Sequence, residues 1–306
     1  MSENKFTFVE LDDFATEHID APHYSYWRSV FRKFLSSKLA IAMLILMVVI
    51  IALSFIQPIF SHYDFMDVTN INNFELRYNH PSLQHLFGTD KDGQDLFDVV
   101  WAGAKNSILI SVLATFVTIV IGVIVGAVWG FSRAIDKIMV EVYNVVSNVP
   151  FLLIVMVLAF AFGAGFWNLL FAMTVTSWVG MAFYIRTQVM IIRDREYNLA
   201  SQTLGTSTFG MIKNNVLPFL VSVIVMQIAN MIPSFISTEV FLSYLGIGLK
   251  ANVPSLGRTM STYSSDIVNN GYLFWIPLAV LAAISISVFL VGQTLADASD
   301  PRTHNS

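Results

Sequence analysis

Six stretches of the chain are almost free of charge and long enough to cross lipid. They lie near residues 39–60, 108–131, 142–162, 167–186, 216–237 and 273–293. A helix rises 1.5 Å per residue, so about 20 apolar residues cross the roughly 30 Å hydrocarbon layer. Each stretch therefore predicts a transmembrane helix. Only "GAGF" at 163–166 separates the third from the fourth, which predicts a tight hairpin. The pattern as a whole predicts an all-α polytopic membrane protein with six transmembrane helices. The intervening segments divide the rest. Residues 1–38 form an N-terminal segment whose "YSYWRSVFRKF" has the mixed basic and aromatic character of an interfacial helix. Residues 39–60 are the first span and 61–107 a long loop. Residues 108–293 form a core that includes loops at 187–215 and 238–272. Residues 294–306 are a tail.

Charge orients this plan. Only 12% of residues are charged and 55% are hydrophobic, about half the charge density of an ordinary soluble domain. With the N-terminus inside, segments 1–38, 132–141, 186–215 and 294–306 hold 12 of the 17 Lys and Arg residues. The positive-inside bias thus places both termini in the cytoplasm and loops 61–107 and 238–272 outside. The polar leader has no small-residue cleavage site, so the first apolar stretch reads as a retained span rather than a signal peptide. The absence of cysteine excludes disulfides, thiol catalysis and Cys-ligated metals. There is no basic domain or aromatic-studded basic stripe, which argues against nucleic acid as a partner.

One inside segment looks out of place. "EYNLASQTLGTSTFGMIKNNVLP" (196–218) is polar and helix-like between two spans. Tyr197, Ala200 and Leu204 recur at i, i+3 and i+7, a narrow apolar stripe. Gly205 stands where a helix would end, and Pro218 at a tolerated first-turn position of the next. The reading is a short helix, a break, a second short helix and a span. Eight to ten residues are too few for a helix stable alone in water, and the stripe is too weak to hold lipid. The segment requires a protein to dock on.

Other motifs narrow the chemistry. Gly122, Gly126 and Gly130 share one helix face, a packing seam for close helix approach. "TDKDGQD" (89–95) fails the EF-hand pattern, because Gln94 and Asp95 stand at its fifth and sixth positions. It reads better as an N-capped helix start at Thr89 or Asp90. That helix would present Leu96, Phe97, Val100, Trp101 and Ala104 on one face and lie along the outer leaflet. No Walker A, H-E-x-x-H or G-x-S-x-G motif occurs, so no nucleotide, metal or hydrolase site is expected. Polar residues within spans are candidates for a wet path: Asn144, Ser147 and Asn148 before Pro150, and Gln227, Asn230 and Ser234 around Pro233, with Glu239 at the outer end. The prolines permit bent helices, which a path opening alternately to two sides would use.

Several stretches resemble one family. Glu196-Tyr197, Ala200, Leu204-Gly205 and Leu217-Pro218 resemble the cytoplasmic "EAA…G…LP" loop of ABC importer permeases, with the triplet falling on Leu199, Ala200 and Ser201. "FGTDKDGQDLFDVVWAGAKNSILIS" (87–111), "EVFLSYLGIGL" (239–249), "PSLGRTM" (254–260) and "LADASDPR" (295–302) resemble segments of oligopeptide and dipeptide permeases. Gln94 replaces the family's Arg and Leu256 its Trp. The likeness is greatest to the C-type subunit. It implies a type I ABC importer permease fold in a bacterial cell membrane and a non-catalytic role. The implied partners are a homologous B-type permease, two ABC ATPase subunits and an extracytoplasmic peptide-binding protein. ATP and Mg would be used by the ATPases, with no cofactor on this chain. The resemblance makes Glu196, Tyr197, Asn198, Leu199, Ala200, Ser201, Gln202, Thr203, Leu204 and Gly205 the ATPase-coupling residues. Two competing expectations are a permease for nickel complexes or other small solutes, and a secondary transporter acting alone. A third is a peptide-sensing membrane component that moves nothing.

Overall fold

The structure, a computed structural model, describes residues 26–61 and 73–299. The start of the leader, part of the first loop and the D-P-R end of the tail lie outside the described residues. Twelve α-helices follow in order among those described: α1 (Tyr26–Ser36), α2 (Lys38–Phe60), α3 (Leu96–Phe131), α4 (Arg133–Ser147), α5 (Phe151–Phe162), α6 (Phe166–Thr174), α7 (Ser177–Arg193), α8 (Glu196–Thr203), α9 (Thr208–Met211), α10 (Leu217–Tyr244), α11 (Leu256–Thr262) and α12 (Tyr272–Ser299).

The first, second, fifth and sixth apolar stretches fall within α2, α3, α10 and α12, and the fourth forms α6 and α7 across a short break at Val175–Thr176. Among the described residues five spans are long and apolar enough to cross a membrane, and a sixth is present if α4 and α5 count as one. The third stretch, 142–162, is bent at its proline: α4 and α5 meet at 78°. The cause is local. Pro150 has no N–H to give to a helix and drives the residue before it out of helical geometry, so α4 ends at Ser147 and α5 restarts after Pro150. The glycine turn at 163–165 does bring α5 back against α6, with Asn168 Nδ2 donating to the Phe162 carbonyl at 2.7 Å.

A correction concerns 89–104. The helix is capped by Asp95, whose carboxylate accepts from the Phe97 N–H at 2.9 Å, and not by Thr89 or Asp90. It also does not lie apart on the outer leaflet; it is the first part of α3, which runs unbroken for 36 residues. Leu96, Val100, Trp101 and Ala104 are buried with Ile236, Val240, Leu256 and Leu273 of α10, α11 and α12. Protein rather than lipid covers that face, so the helix stands up.

Asp90 serves the loop instead. Its Oδ1 accepts from the N–H groups of Asp92 and Gln94, both at 2.8 Å, and its Oδ2 accepts from the Tyr263 hydroxyl at 2.5 Å. Tyr272 ties the same strand of chain by donating to the Thr89 carbonyl at 2.8 Å. Burial pushes the Asp90 carboxyl above its ordinary value of 3.8 despite these donors. An acid raised on folding binds its proton more tightly in the folded state. Its contribution is therefore most favourable in acid and declines as pH rises from about 4 through the raised value. Amide exchange in 88–96 should report a loop that opens more readily as pH rises through that window, once intrinsic exchange is corrected. Asp90→Asn should flatten the dependence.

The centre of the bundle is the pairing of α3 with α7. Gly122, Gly126 and Gly130 form the expected seam: a Cβ on them would fall 2.4 Å from Met181 Cγ, 2.5 Å from the Ala182 carbonyl oxygen and 2.7 Å from Val189 Cβ, respectively. α10 packs on α12 in the same way, with Gly292 set against Ala229.

Candidate coupling surface and membrane path

The loop between α7 and α10 has the expected form. α8 is followed by Leu204 and by Gly205 at φ +83°, a left-handed conformation that suits glycine. The Gly205 N–H reaches the Gln202 carbonyl at 2.9 Å and the Thr206 N–H the Ser201 carbonyl at 3.0 Å. This is the paired closure of a Schellman motif. Ser207 then caps α9, and a π-helical turn at Ile212–Val216 leads into α10, with Pro218 in its first turn.

α8 holds to its own chain by amides. Asn198 is fully buried; its Nδ2 donates to the Ile192 carbonyl at 2.9 Å. Asn215, in the π turn, donates to Asn198 Oδ1 at 2.9 Å and to Ser201 Oγ at 3.2 Å. Glu196, Leu199, Ala200, Gln202 and Thr203 point outward and are exposed. Leu204 is 86% exposed and Phe209 74%. Tyr197 is exposed with its ring stacked on Phe219 of α10, centroids 6.0 Å apart. Asn198 alone of this helix is buried against the chain; the rest of its surface, polar Glu196, Gln202 and Thr203 together with Tyr197, Leu199 and Ala200, is left uncovered.

Of the polar residues in the spans, the structure brings two into related recesses. Ser147 lines a recess of about 280 Å³ at the α4–α5 break, with Tyr143, Phe151, Thr176 and Ser177. Ser234 lines a recess of about 220 Å³ with Phe151, Ser177, Met231 and Phe235. Phe151 and Ser177 are common to both. Asn144 and Asn148 are exposed on the outer side of the break, where Asn148 Nδ2 donates to the Asn144 carbonyl at 2.6 Å. Asn230 is exposed on α10 and bonds back to Met226, while Gln227 is partly buried. Glu239 is corrected. It is fully buried, and its Oε1 accepts from the Ser243 hydroxyl at 2.7 Å. The backbone seats α11 beside it: a Cβ on Gly257 would meet the Val240 carbonyl oxygen at 2.0 Å. Glu239 belongs to the packing of α10 against α11, away from either recess, because the helix turns it to the face opposite Asn230 and Ser234.

Sequence reasoning missed an ion pair. Arg186 of α7 makes a forked contact with Asp136 of α4, Nε to Oδ1 at 2.6 Å and Nη2 to Oδ2 at 2.8 Å. Trp129 Nε1 of α3 donates to the same carboxylate at 2.6 Å. Two turns further, Arg193 Nη1 donates to the Gly130 carbonyl at 2.6 Å. These contacts bind the end of α3, the start of α4 and the last two turns of α7, directly ahead of α8. The separation of 50 residues hides the pair, though a lone Arg at the end of a span was its signal.

A bundle of apolar helices long enough to cross lipid, with a short exposed helix on one loop, is the architecture of a polytopic membrane protein. Residues 118–305 match the family described as "Binding-protein-dependent transport system inner membrane component", and the chain belongs to this family, the permeases of ABC importers. Residues 25–81 match the N-terminal TM domain of oligopeptide transport permease C. The chain is 58% identical over 304 residues, covering 99% of both chains, to the oligopeptide transport system permease protein AmiD of Streptococcus pneumoniae. It is 36% identical to the oligopeptide permease protein OppC of Bacillus subtilis, covering 94% of this chain and 93% of that one. It is 34% identical to the dipeptide permease protein DppC of the same organism, covering 94% of this chain and 89% of that one.

Proposed function

We propose that this chain carries oligopeptides inward as one half of the path of an ATP-driven importer, and that α8 is where a cytoplasmic ATPase pushes on it. The observation that carries the coupling role is the uncovered surface of the α8–α9 segment: the Asn198 and Asn215 amides anchor it to the chain, while Tyr197, Leu199, Leu204 and Phe209 stand exposed beside Glu196, Gln202 and Thr203. The oligopeptide cargo is supported by the names of the relatives. The partners are a second, homologous permease, two ATPases that bind ATP and Mg, and an extracytoplasmic peptide-binding protein. The chain itself does no bond chemistry. Both termini lie in the cytoplasm of a bacterial cell, and residues 1–38, 39–60, 61–107, 108–293 and 294–306 are its functional divisions. ATP binding closes the ATPases and displaces α8. The Asn198–Asn215 contact carries the displacement to α10, and the Asp194–Arg195 link carries it to α7. Ser147 and Ser234, with Asn144, Asn148, Gln227 and Asn230 around them, face the moving peptide.

The chain has no cysteine, so a single Thr203→Cys is a clean probe. Crosslinking in native membranes should capture an ATPase subunit, with a yield that changes on adding ATP. No capture from position 203 or from Gln202→Cys, in an intact assembly, would remove the coupling role. Ala200→Trp meets open space on this chain, and so does Gly205→Val, apart from its backbone strain. Ala200→Trp should leave the amount of protein in the membrane nearly unchanged; Gly205→Val, strained at φ +83°, should lower it, so uptake is compared per molecule of assembled protein. Each should reduce ATP-driven uptake on the order of tenfold or more, as truncating or blocking a central contact does.

A further inference from the structure

α1 carries a second surface that the transport cycle as described does not use. Ser37 alone joins α1 to α2, so α1 lies where the first span meets the membrane surface. Its inner face is committed: Val30 and Phe34 are buried with Ala40 of α2 and Val291 and Ala298 of α12. At 100° per residue the next stripe round the helix is Trp27, Phe31 and Leu35, exposed by 54–56%, and Leu39 continues it onto α2. Beyond that stripe come Arg28 and Arg32, both exposed and one turn apart. No carboxylate of the described residues is paired with either arginine. Read around its circumference, the helix goes from protein-facing apolar to exposed apolar to exposed cationic.

That order matches one surrounding. An exposed aromatic and aliphatic stripe beside a span rests on acyl chains, and the cations next to it reach the headgroup layer. Guanidinium is a planar fork that binds phosphate oxygens in pairs and is held less tightly by water than an ammonium. A headgroup with net negative charge favours it over a zwitterionic one, whose own cation competes. We infer that α1 is a binding site for anionic phospholipid headgroups, held by Arg28 and Arg32 above the Trp27–Phe31–Leu35 stripe. α1 is bolted to α12, and α12 packs along α10, the helix into which α8 and α9 lead. Occupancy of this site therefore bears on the helix that coupling must move. The inference does not depend on the cargo.

The test uses the assembled importer with a single Ser36→Cys in this chain carrying a fluorophore. The vesicles are of phosphatidylcholine containing a fraction of nitroxide-labelled phosphatidylglycerol or, at the same mole fraction, nitroxide-labelled phosphatidylcholine. Phosphatidylglycerol should quench the label more strongly. The preference should fall about fivefold for each of Arg28→Gln and Arg32→Gln, the factor expected for one basic residue near an anionic surface. Arg28→Lys with Arg32→Lys should retain most of it. The same Gln variants should lose any dependence of uptake on phosphatidylglycerol content. Equal quenching by both lipids, or a preference untouched by the double Gln variant, would overturn the site.

Discussion

Gly126→Leu is expected to remove most of the correctly assembled protein from the membrane. The Cβ alone would stand 2.5 Å from the Ala182 carbonyl oxygen, 2.8 Å from Ile185 Cβ and 3.0 Å from Ala182 Cα. Two of these are backbone atoms of α7, so no side-chain rotation relieves the clash and α3 must separate from α7. Overpacking of this kind costs about 1–3 kcal/mol, and more where a backbone is the obstacle. The seam extends from Gly122 to Gly130, so the separation costs contacts over two turns. Thermal unfolding in detergent, followed by size-exclusion, measures it. Gly126→Ala should show a smaller loss. Gly180→Ala is the control: a glycine on α7 itself, with no atom within 4 Å of its Cβ position, where alanine should be harmless.

Arg186→Ala is expected to cost nearly as much, by a different route. The substitution removes both arms of the fork from Asp136 and leaves a carboxylate, 29% exposed, with the Trp129 N–H as its donor and Arg193 as a more distant positive charge. Breaking a fully buried pair costs about 3–5 kcal/mol; partial exposure on both sides brings this to roughly 2–3 kcal/mol. Arg186→Lys should be intermediate, since an ammonium cannot hold both oxygens. Asp136→Arg combined with Arg186→Asp should recover part of the stability lost in either single variant. Recovery of folding without recovery of uptake would show that the pair also sets the position of α7 ahead of α8.

The spans were legible because lipid imposes a blunt rule: length and apolarity decide, and α2, α3, α10 and α12 obey it. The third stretch obeyed it too, and yet it breaks. Pro150 was visible, but a proline in a span can bend or break it, and the outcome depends on what packs nearby. The α8 loop was readable to the residue, since Gly205 and Pro218 mark local backbone conformations that few other residues tolerate. What pins that loop was not readable: Asn198 looked like one polar residue among several, and Asn215 lies 17 residues on. Glu239 was misread because span position does not say which face of a helix a residue occupies. The hydrophobic set at 96–104 was correctly grouped on one face but assigned to lipid, because an apolar face looks alike whether lipid or protein covers it.

α3 has a consequence for how motion is shared between the two sides of the membrane. Its 36 residues make a rod about 54 Å long, well beyond the roughly 30 Å of hydrocarbon. The surplus rises beside α11 and the start of α12, where Leu256 and Leu273 pack in one cluster with its own Trp101, and its other end is clamped through Gly130 and Trp129 to the approach to α8. With no proline and no break between those grips, the rod is a lever rather than a chain of joints. A tilt of such a rod at one end has to move the other end too, with no relay of side chains needed in between.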